Sequence, residues 1–327
     1  MDTNLNIKSK TIRVKCSFFF ILMANKMKTY RLSRLHTFSD WKKREATQPT
    51  IHDAATIIGE HPCDIYDDQT GALILKFRKR AIPTDRIQLA KSIYGNIDQV
   101  MKPSFSRNAA AGKVDLDQIR QFKPHVQAIH VSNRLGTKAK VEVKGGKILT
   151  ESVSNPVKSY KAGYTYWRFQ GGCAMPTGFT KEFPDKWRAS LPFFNAIGEQ
   201  FEANMPDRAA IHRKAMEGWE EYLIGDTALS TAAINVNYES AYHVDRGDLK
   251  EGFSTLTVCE FGTYEGGLYM VPEYGLAIDV REGDLVLSQS HKYWHGNTKI
   301  VPKTEGARRM SFITYLKGSI TKAVNRK

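Results

Sequence analysis

Tyr242-His243-Val244-Asp245-Arg246-Gly247-Asp248, His291-Lys292-Tyr293-Trp294-His295-Gly296-Asn297-Thr298 and Arg308-Arg309-Met310-Ser311-Phe312 follow one another in residues 237–315. Between them lie short apolar runs at 253–261, 268–271, 276–280 and 284–288, with others at 233–238 and 310–316. Gly262, Gly266, Gly267, Gly275, Gly283 and Gly296 punctuate the series. Many short strands with turns at this spacing predict an all-β jelly roll rather than alternating strand–helix units.

A His-x-Asp pair carries little by itself, since nine histidines and 34 acidic residues give about one such pair by chance. Its place decides the reading: the pair follows a strand and opens a loop, and a run of strands leads on to a second histidine. Two imidazoles and one carboxylate suit iron(II) and leave coordination positions open. His243 and Asp245 supply two of the ligands. For the third, His295 is preferred to His291, because Gly296 directly after it lets the chain pass close to a metal. His291 then becomes a loop residue or a substrate contact. Arg309 and Ser311 alternate on one strand, so both side chains share a face and suit the distal carboxylate of a dicarboxylic acid. Arg308 should face the other way, with Lys303 as a fallback anchor.

Hydrophobic residues make up 41% of the 327 and charged residues 25%, enough for a sizeable core. The formal charge is +14, and all of it lies in the first half. Residues 1–160 hold 28 Lys+Arg against 14 Asp+Glu, whereas residues 161–327 hold 20 of each. A basic segment beside a neutral one points to a polyanionic partner. Cys16, Cys63, Cys173 and Cys259 form no close pair, which argues against a zinc knuckle or a disulfide framework and for a reducing compartment.

Residues 1–26 place Lys8, Lys10, Arg13 and Lys15 before an apolar run of eight at 17–24. The run is too short to span a bilayer, and the segment reads as an upstream or non-native extension with a start at Met23 or Met27. A soluble, intracellular protein with no membrane partner is expected. Residues 27–159 read as a basic, mainly helical region in contact with DNA, with a short amphipathic piece at 51–58 and a strand at 72–77. The segment at 106–113 is basic and glycine-containing, and 133–158 reads as a long basic loop or hairpin. Residues 160–327 read as the catalytic domain, opened by four aromatics interleaved with Lys161 and Arg168. Helices at 188–204 and 209–223 should buttress its sheet. The fold class expected is α+β: a double-stranded β-helix core, cupin-like, buttressed by helices.

With these residues in place, the chain resembles the TET/JBP branch of the iron(II)/2-oxoglutarate oxygenases. The resemblance rests on Asn237-Tyr238, His243-x-Asp245-Arg246-Gly247-Asp248, Gly262-x-Tyr264-x-Gly266-Gly267, Pro272-x-Tyr274-Gly275, His295-Gly296-Asn297-Thr298 and Arg309-x-Ser311. It covers residues 160–316 and is closest to the compact microbial and viral members. It implies that His243, Asp245 and His295 bind iron(II), and that Arg309 and Ser311 bind 2-oxoglutarate, with dioxygen as oxidant. It also implies oxidation of the 5-methyl group of a pyrimidine in DNA, with decarboxylation of 2-oxoglutarate to succinate. The base must leave a duplex stack to react.

Asp248 either caps its own turn or reads the base. A carboxylate accepts hydrogen bonds, so it suits the amino group of 5-methylcytosine and repels O4 of thymine. Asn237 and His291 are further expected substrate contacts. The alternatives are a JBP-like thymine hydroxylase, an oxygenase acting on protein or free nucleotide, and a catalytically inactive nucleic-acid-binding jelly roll.

Overall fold

The computed structural model describes residues 27–104, 107–130, 138–152, 154–167 and 172–324. The first half of the chain contributes β1 (Lys28–Leu32), α1 (Phe38–Lys42), β2 (Thr56–Ile58), β3 (Cys63–Asp67), β4 (Leu73–Arg78), α2 (Thr84–Tyr94), α3 (Ile97–Val100) and α4 (Leu116–Phe122). There follow β5 (Val126–His130), β6 (Lys138–Val143), β7 (Lys147–Ser152), β8 (Ser159–Trp167), β9 (Cys173–Pro176), α5 (Gly178–Glu182), α6 (Pro184–Asn204) and α7 (Pro206–Ala215). The last third holds β10 (Thr231–Val236), β11 (Ser254–Phe261), β12 (Tyr264–Gly266), β13 (Tyr269–Val271), β14 (Leu276–Ile278), β15 (Leu285–Ser288), β16 (Gly296–Asn297), β17 (Ile300–Pro302), β18 (Arg308–Tyr315) and α8 (Gly318–Val324).

Nine strands form the large sheet in the order β1-β3-β4-β15-β11-β18-β10-β8-β9. A smaller sheet, β16-β13-β14-β2, and the pair β12-β17 complete the double-stranded β-helix. The helices cover the large sheet from outside. Phe193, Phe194, Ile197 and Phe201 of α6 pack with Tyr94 of α2 and with Ile234 and Phe312 of the sheet. Those positions fall on one helical face, which is why α6 is helical despite Pro192 in its interior.

The first half differs from the mainly helical expectation. Residues 51–58 are one short turn followed by β2, and β3 and β4 form an antiparallel pair. These strands are not a separate layer. β4 pairs with β15 and β2 pairs in parallel with β14, so residues on both sides of position 160 build the same sheets. Tertiary pairing overrode local pattern here, with β2 held by β14 and β3 by β1 and β4. The expected helix at 209–223 ends early, as α7 and then a short turn at Glu220–Tyr222. Residues 138–152 form the hairpin β6–β7. The N-terminal segment 1–26 and Arg168 lie outside the described residues. Among the described residues, no helix is long and apolar enough to cross a membrane.

β18 shows how the sheet sorts function from support. Phe312 is fully buried and meets the rings of Phe193 at 4.8 Å and Tyr94 at 5.5 Å, while its neighbour Ser311 turns to the opposite face. Phe312→Ala should cost about 3–5 kcal/mol of folding stability, read as a lower urea midpoint with metal affinity per folded molecule unchanged.

Candidate metal centre and its cavities

His243 and His295 face each other as an antiparallel bridge. The His243 N–H donates to the His295 carbonyl at 2.9 Å, and the His295 N–H returns the bond at 3.0 Å. Their rings lie 4.3 Å apart, centroid to centroid. Each Nδ1 donates to a backbone carbonyl two residues upstream, that of Ala241 at 2.8 Å and that of Tyr293 at 3.0 Å. Those bonds fix the tautomer and leave both Nε2 lone pairs free. Asp245 lies across them, Oδ1 3.5 Å from Nε2 of His243 and Oδ2 3.2 Å from Nε2 of His295. Ligand atoms of the three residues lie within 4.8 Å of one another.

The electrostatics suit a cation. Burial, aided by the neighbouring His295, holds the His243 imidazole below its ordinary pKa. Burial opposes charge on Asp245, but the two imidazoles outweigh it and hold the carboxyl well below the usual range.

The His-Gly-Asn sequence has a structural explanation. A Cβ at Gly296 would lie 2.8 Å from both Pro49 Cγ and the Ser240 carbonyl oxygen. The glycine therefore admits the strand carrying His243 rather than giving the metal room. Asn297 Oδ1 accepts from the Ser240 N–H at 2.9 Å and the Ser240 hydroxyl at 2.7 Å, clamping the two ligand segments together. The first half of the chain also holds this segment. Tyr242 N–H donates to Thr47 O, and Ala241 N–H donates to Ala110 O.

Two cavities meet at the cluster. The inner one, about 50 Å³, is lined by His243, Asp245, His295, Arg309 and Ser311. Arg309 is 3% exposed, and its Nε and Nη2 have no hydrogen-bond partner. A buried guanidinium left open in this way calls for an anion. Gly267 makes space for it, since a Cβ there would sit 2.9 Å from Arg309 Cδ. As expected, Arg308 points away, bonding Asp98 and the Gly95 carbonyl. Lys303 pairs at the surface with Glu265.

The outer cavity, about 650 Å³, reaches His243, Asp245 and Asp248 and is walled by Arg107, Lys161, Tyr315 and Lys317. Asp248 Oδ2 accepts from the Ser290 hydroxyl at 3.0 Å, and burial together with the charge on Asp245 pushes its carboxyl well up. Burial, with Arg107 and Lys317 nearby, pulls the Lys161 amine down to about 8.

Two expected substrate contacts lie elsewhere. The Asn237 side-chain oxygen accepts from the Arg309 N–H at 2.7 Å; the residue, held at φ 45°, ties β10 to β18 instead of facing the cavity. His291 Nδ1 lies 3.3 Å from the Asp245 carbonyl oxygen, and the ring is not among those lining the outer cavity. Arg107 and Lys317 went unassigned in the sequence. The only signals were a basic glycine-containing segment around the first and, for Lys161, a lone cation within an aromatic strand.

Residues 174–318 match the family described as the oxygenase domain of the 2OGFeDO superfamily, Tet_JBP. This stretch of the chain is similar to the Tet/JBP oxygenases. Thymine dioxygenase JBP1 of Trypanosoma brucei brucei is 28% identical over 148 residues, 44% of this chain and 17% of that protein. The bifunctional helicase and thymine dioxygenase JBP2 of Trypanosoma brucei brucei (strain 927/4 GUTat10.1) is 30% identical over 121 residues, 37% of this chain and 11% of that one. The chain thus spans less than a fifth of the length of these curated relatives. A solved structure, NgTET1 in complex with 5mC DNA, superposes with a TM-score of 0.55 at 9% identity, covering 91% of this chain and 84% of the other; it supports the fold. The description of that family, an oxygenase of the 2OGFeDO superfamily, implies iron(II) and 2-oxoglutarate as cofactors. The residues present fit both groups: an oriented His-Asp-His donor set and a buried, unpartnered arginine.

Asn297→Ala keeps all three candidate ligands but removes the clamp on Ser240. Anaerobic iron(II) titration should show metal affinity lowered about 10- to 100-fold, and Asp245→Ala should abolish binding.

Proposed function

We propose that this chain hydroxylates the 5-methyl group of a pyrimidine base in DNA. The observation that carries the reading is one His-Asp-His cluster, its histidines buried and Asp245 half-buried, shared by two cavities, an inner one ending on unpaired Arg309 and an outer one of about 650 Å³. That outer volume lies within the range of small-molecule pockets, about 300–1,000 Å³.

In this reading His243, Asp245 and His295 hold iron(II) from one side. Arg309 and Ser311 take the distal carboxylate of 2-oxoglutarate. Arg107, which lines both cavities and has an unpaired Nε, is placed for the other carboxylate. Iron(II) with 2-oxoglutarate and dioxygen supplies the oxidising power, giving succinate, carbon dioxide and a hydroxylated methyl group. The protein's part is to hold the methyl at the cluster and keep bulk water away. A pyrimidine methyl cannot approach a centre this deep from within a duplex, so the base enters the outer cavity flipped.

Asp248 presents a carboxyl on the cavity wall whose carbonyl oxygen stays an acceptor even when the group is protonated, and that oxygen favours 5-methylcytosine, whose amino group donates. Thymine, the base named for the curated relatives, is the second reading; Lys161 and Lys317 favour it, because ammonium groups only donate and thymine offers two carbonyls.

Iron-loaded protein, 2-oxoglutarate and a duplex carrying both bases should yield 5-hydroxymethylcytosine by nucleoside mass analysis. Thymine oxidation with all 5-methylcytosine intact would replace the first reading by the second, and no oxidised pyrimidine at all would sink both. Arg309→Met should raise the KM for 2-oxoglutarate about 100-fold, the scale of a lost charged hydrogen-bond pair. Lys161 loses its charge as pH rises through about 8, so the KM for DNA should climb above that pH and Lys161→Met should remove the inflexion.

A further inference from the structure

The structure assigns a second nucleic-acid contact: we infer that the β6–β7 hairpin, with Lys113 at the neck of its module, grips the duplex backbone beside the flipped base. The inference rests on the DNA reading above and adds to it where the duplex is held.

Residues 113–130 and 138–152 form a unit of their own, set into the barrel. Ile119, Val126 and Val141 are buried against each other, with Ile129, Val143 and Leu149 packed around them. β5, β6 and β7 make a three-stranded sheet that does not join the large one. The unit leaves and rejoins the barrel at the outer cavity. Arg107 to Ala110 line that cavity just before it, and Lys161 lines the cavity just after it. Asn155 ties the neck: its Nδ2 donates to Ala111 O at 2.9 Å and Lys113 O at 2.7 Å, and its Oδ1 accepts from the Asp115 N–H at 2.8 Å. A Ser104–Val157 bridge lies beside it. The module is therefore fixed at the rim of the cavity a flipped base would enter.

Its chemistry fits a phosphate backbone. Residues 113–152 hold eight Lys+Arg against four Asp+Glu. The hairpin turns at Lys144-Gly145-Gly146-Lys147, where Gly145 and Gly146 have φ of 93° and 75° and nothing lies within 4 Å of either Cβ position. Lys113, Lys144 and Lys147 are exposed. The result is a narrow tip with a cation on each side and no side chain to keep a backbone at a distance. Lysines so placed neutralise phosphates and carry affinity without sequence preference.

The test is charge reversal in the full chain, Lys113→Glu with Lys144→Glu and Lys147→Glu, against matched reversal of the exposed helix residues Lys181, Lys186 and Lys214. Binding to a 20-base-pair duplex and base oxidation are both followed. The hairpin variant should bind at least 10-fold more weakly, with a salt dependence shallower by roughly 0.9 log units for each phosphate it no longer neutralises. Its KM for duplex should rise while kcat at saturating duplex holds, and the helix variant should match wild type. Wild-type DNA oxidation with unchanged affinity, salt slope and KM in the hairpin variant would overturn the inference and leave the activity standing. Equal losses in both variants would overturn it too. Absence of any wild-type DNA oxidation would count against the underlying activity, and unchanged duplex affinity in the hairpin variant would then remove the grip as well.

Discussion

The site depends on one reciprocal backbone pair, His243 with His295. Each residue donates its N–H to the other's carbonyl, so two chain segments more than fifty positions apart are held in register at the cluster. Side-chain geometry follows from that register. The imidazoles are brought to 4.3 Å, and each is oriented by its own upstream carbonyl. Gly296 and Asn297 serve the pair rather than any ligand: one removes a Cβ that would part the strands, and the other clasps Ser240.

The same economy governs the co-substrate pocket. Asn237 adopts a left-handed conformation at the end of β10 and accepts from the Arg309 N–H, fixing the backbone from which the guanidinium extends. Gly267 clears the path of that side chain. Two residues with no reach to the chemistry thus set the direction of one that does.

Much of this was legible in the sequence. The six apolar runs became β10, β11, β13, β14, β15 and β18, because alternation and glycine turns are local signals that survive folding. His295 rather than His291 joined the cluster, and Arg309 and Ser311 shared a face, as period-two geometry requires. What escaped notice was non-local. β2 and β3 lie outside the glycine-punctuated series of strands and exist through their partners. Arg107, Lys161 and Lys317 come from three distant segments that meet only at the outer cavity. Asn237 looked like a substrate contact because its adjacency to the motif was visible and its bond to Arg309 was not.

The pairings of β4 with β15 and β2 with β14 set where the molecule can be divided. The family match begins at residue 174, yet cutting the chain near there would strip one neighbour from each of those two strands. Both would become open edges, rows of unsatisfied N–H and carbonyl groups that template association between copies. The loops from Ala46 and Ala110 that brace the ligand segment would go with them. The stretch that carries the chemistry is thus not a self-sufficient module. Its protection from self-association is lent by strands that carry none of the motif.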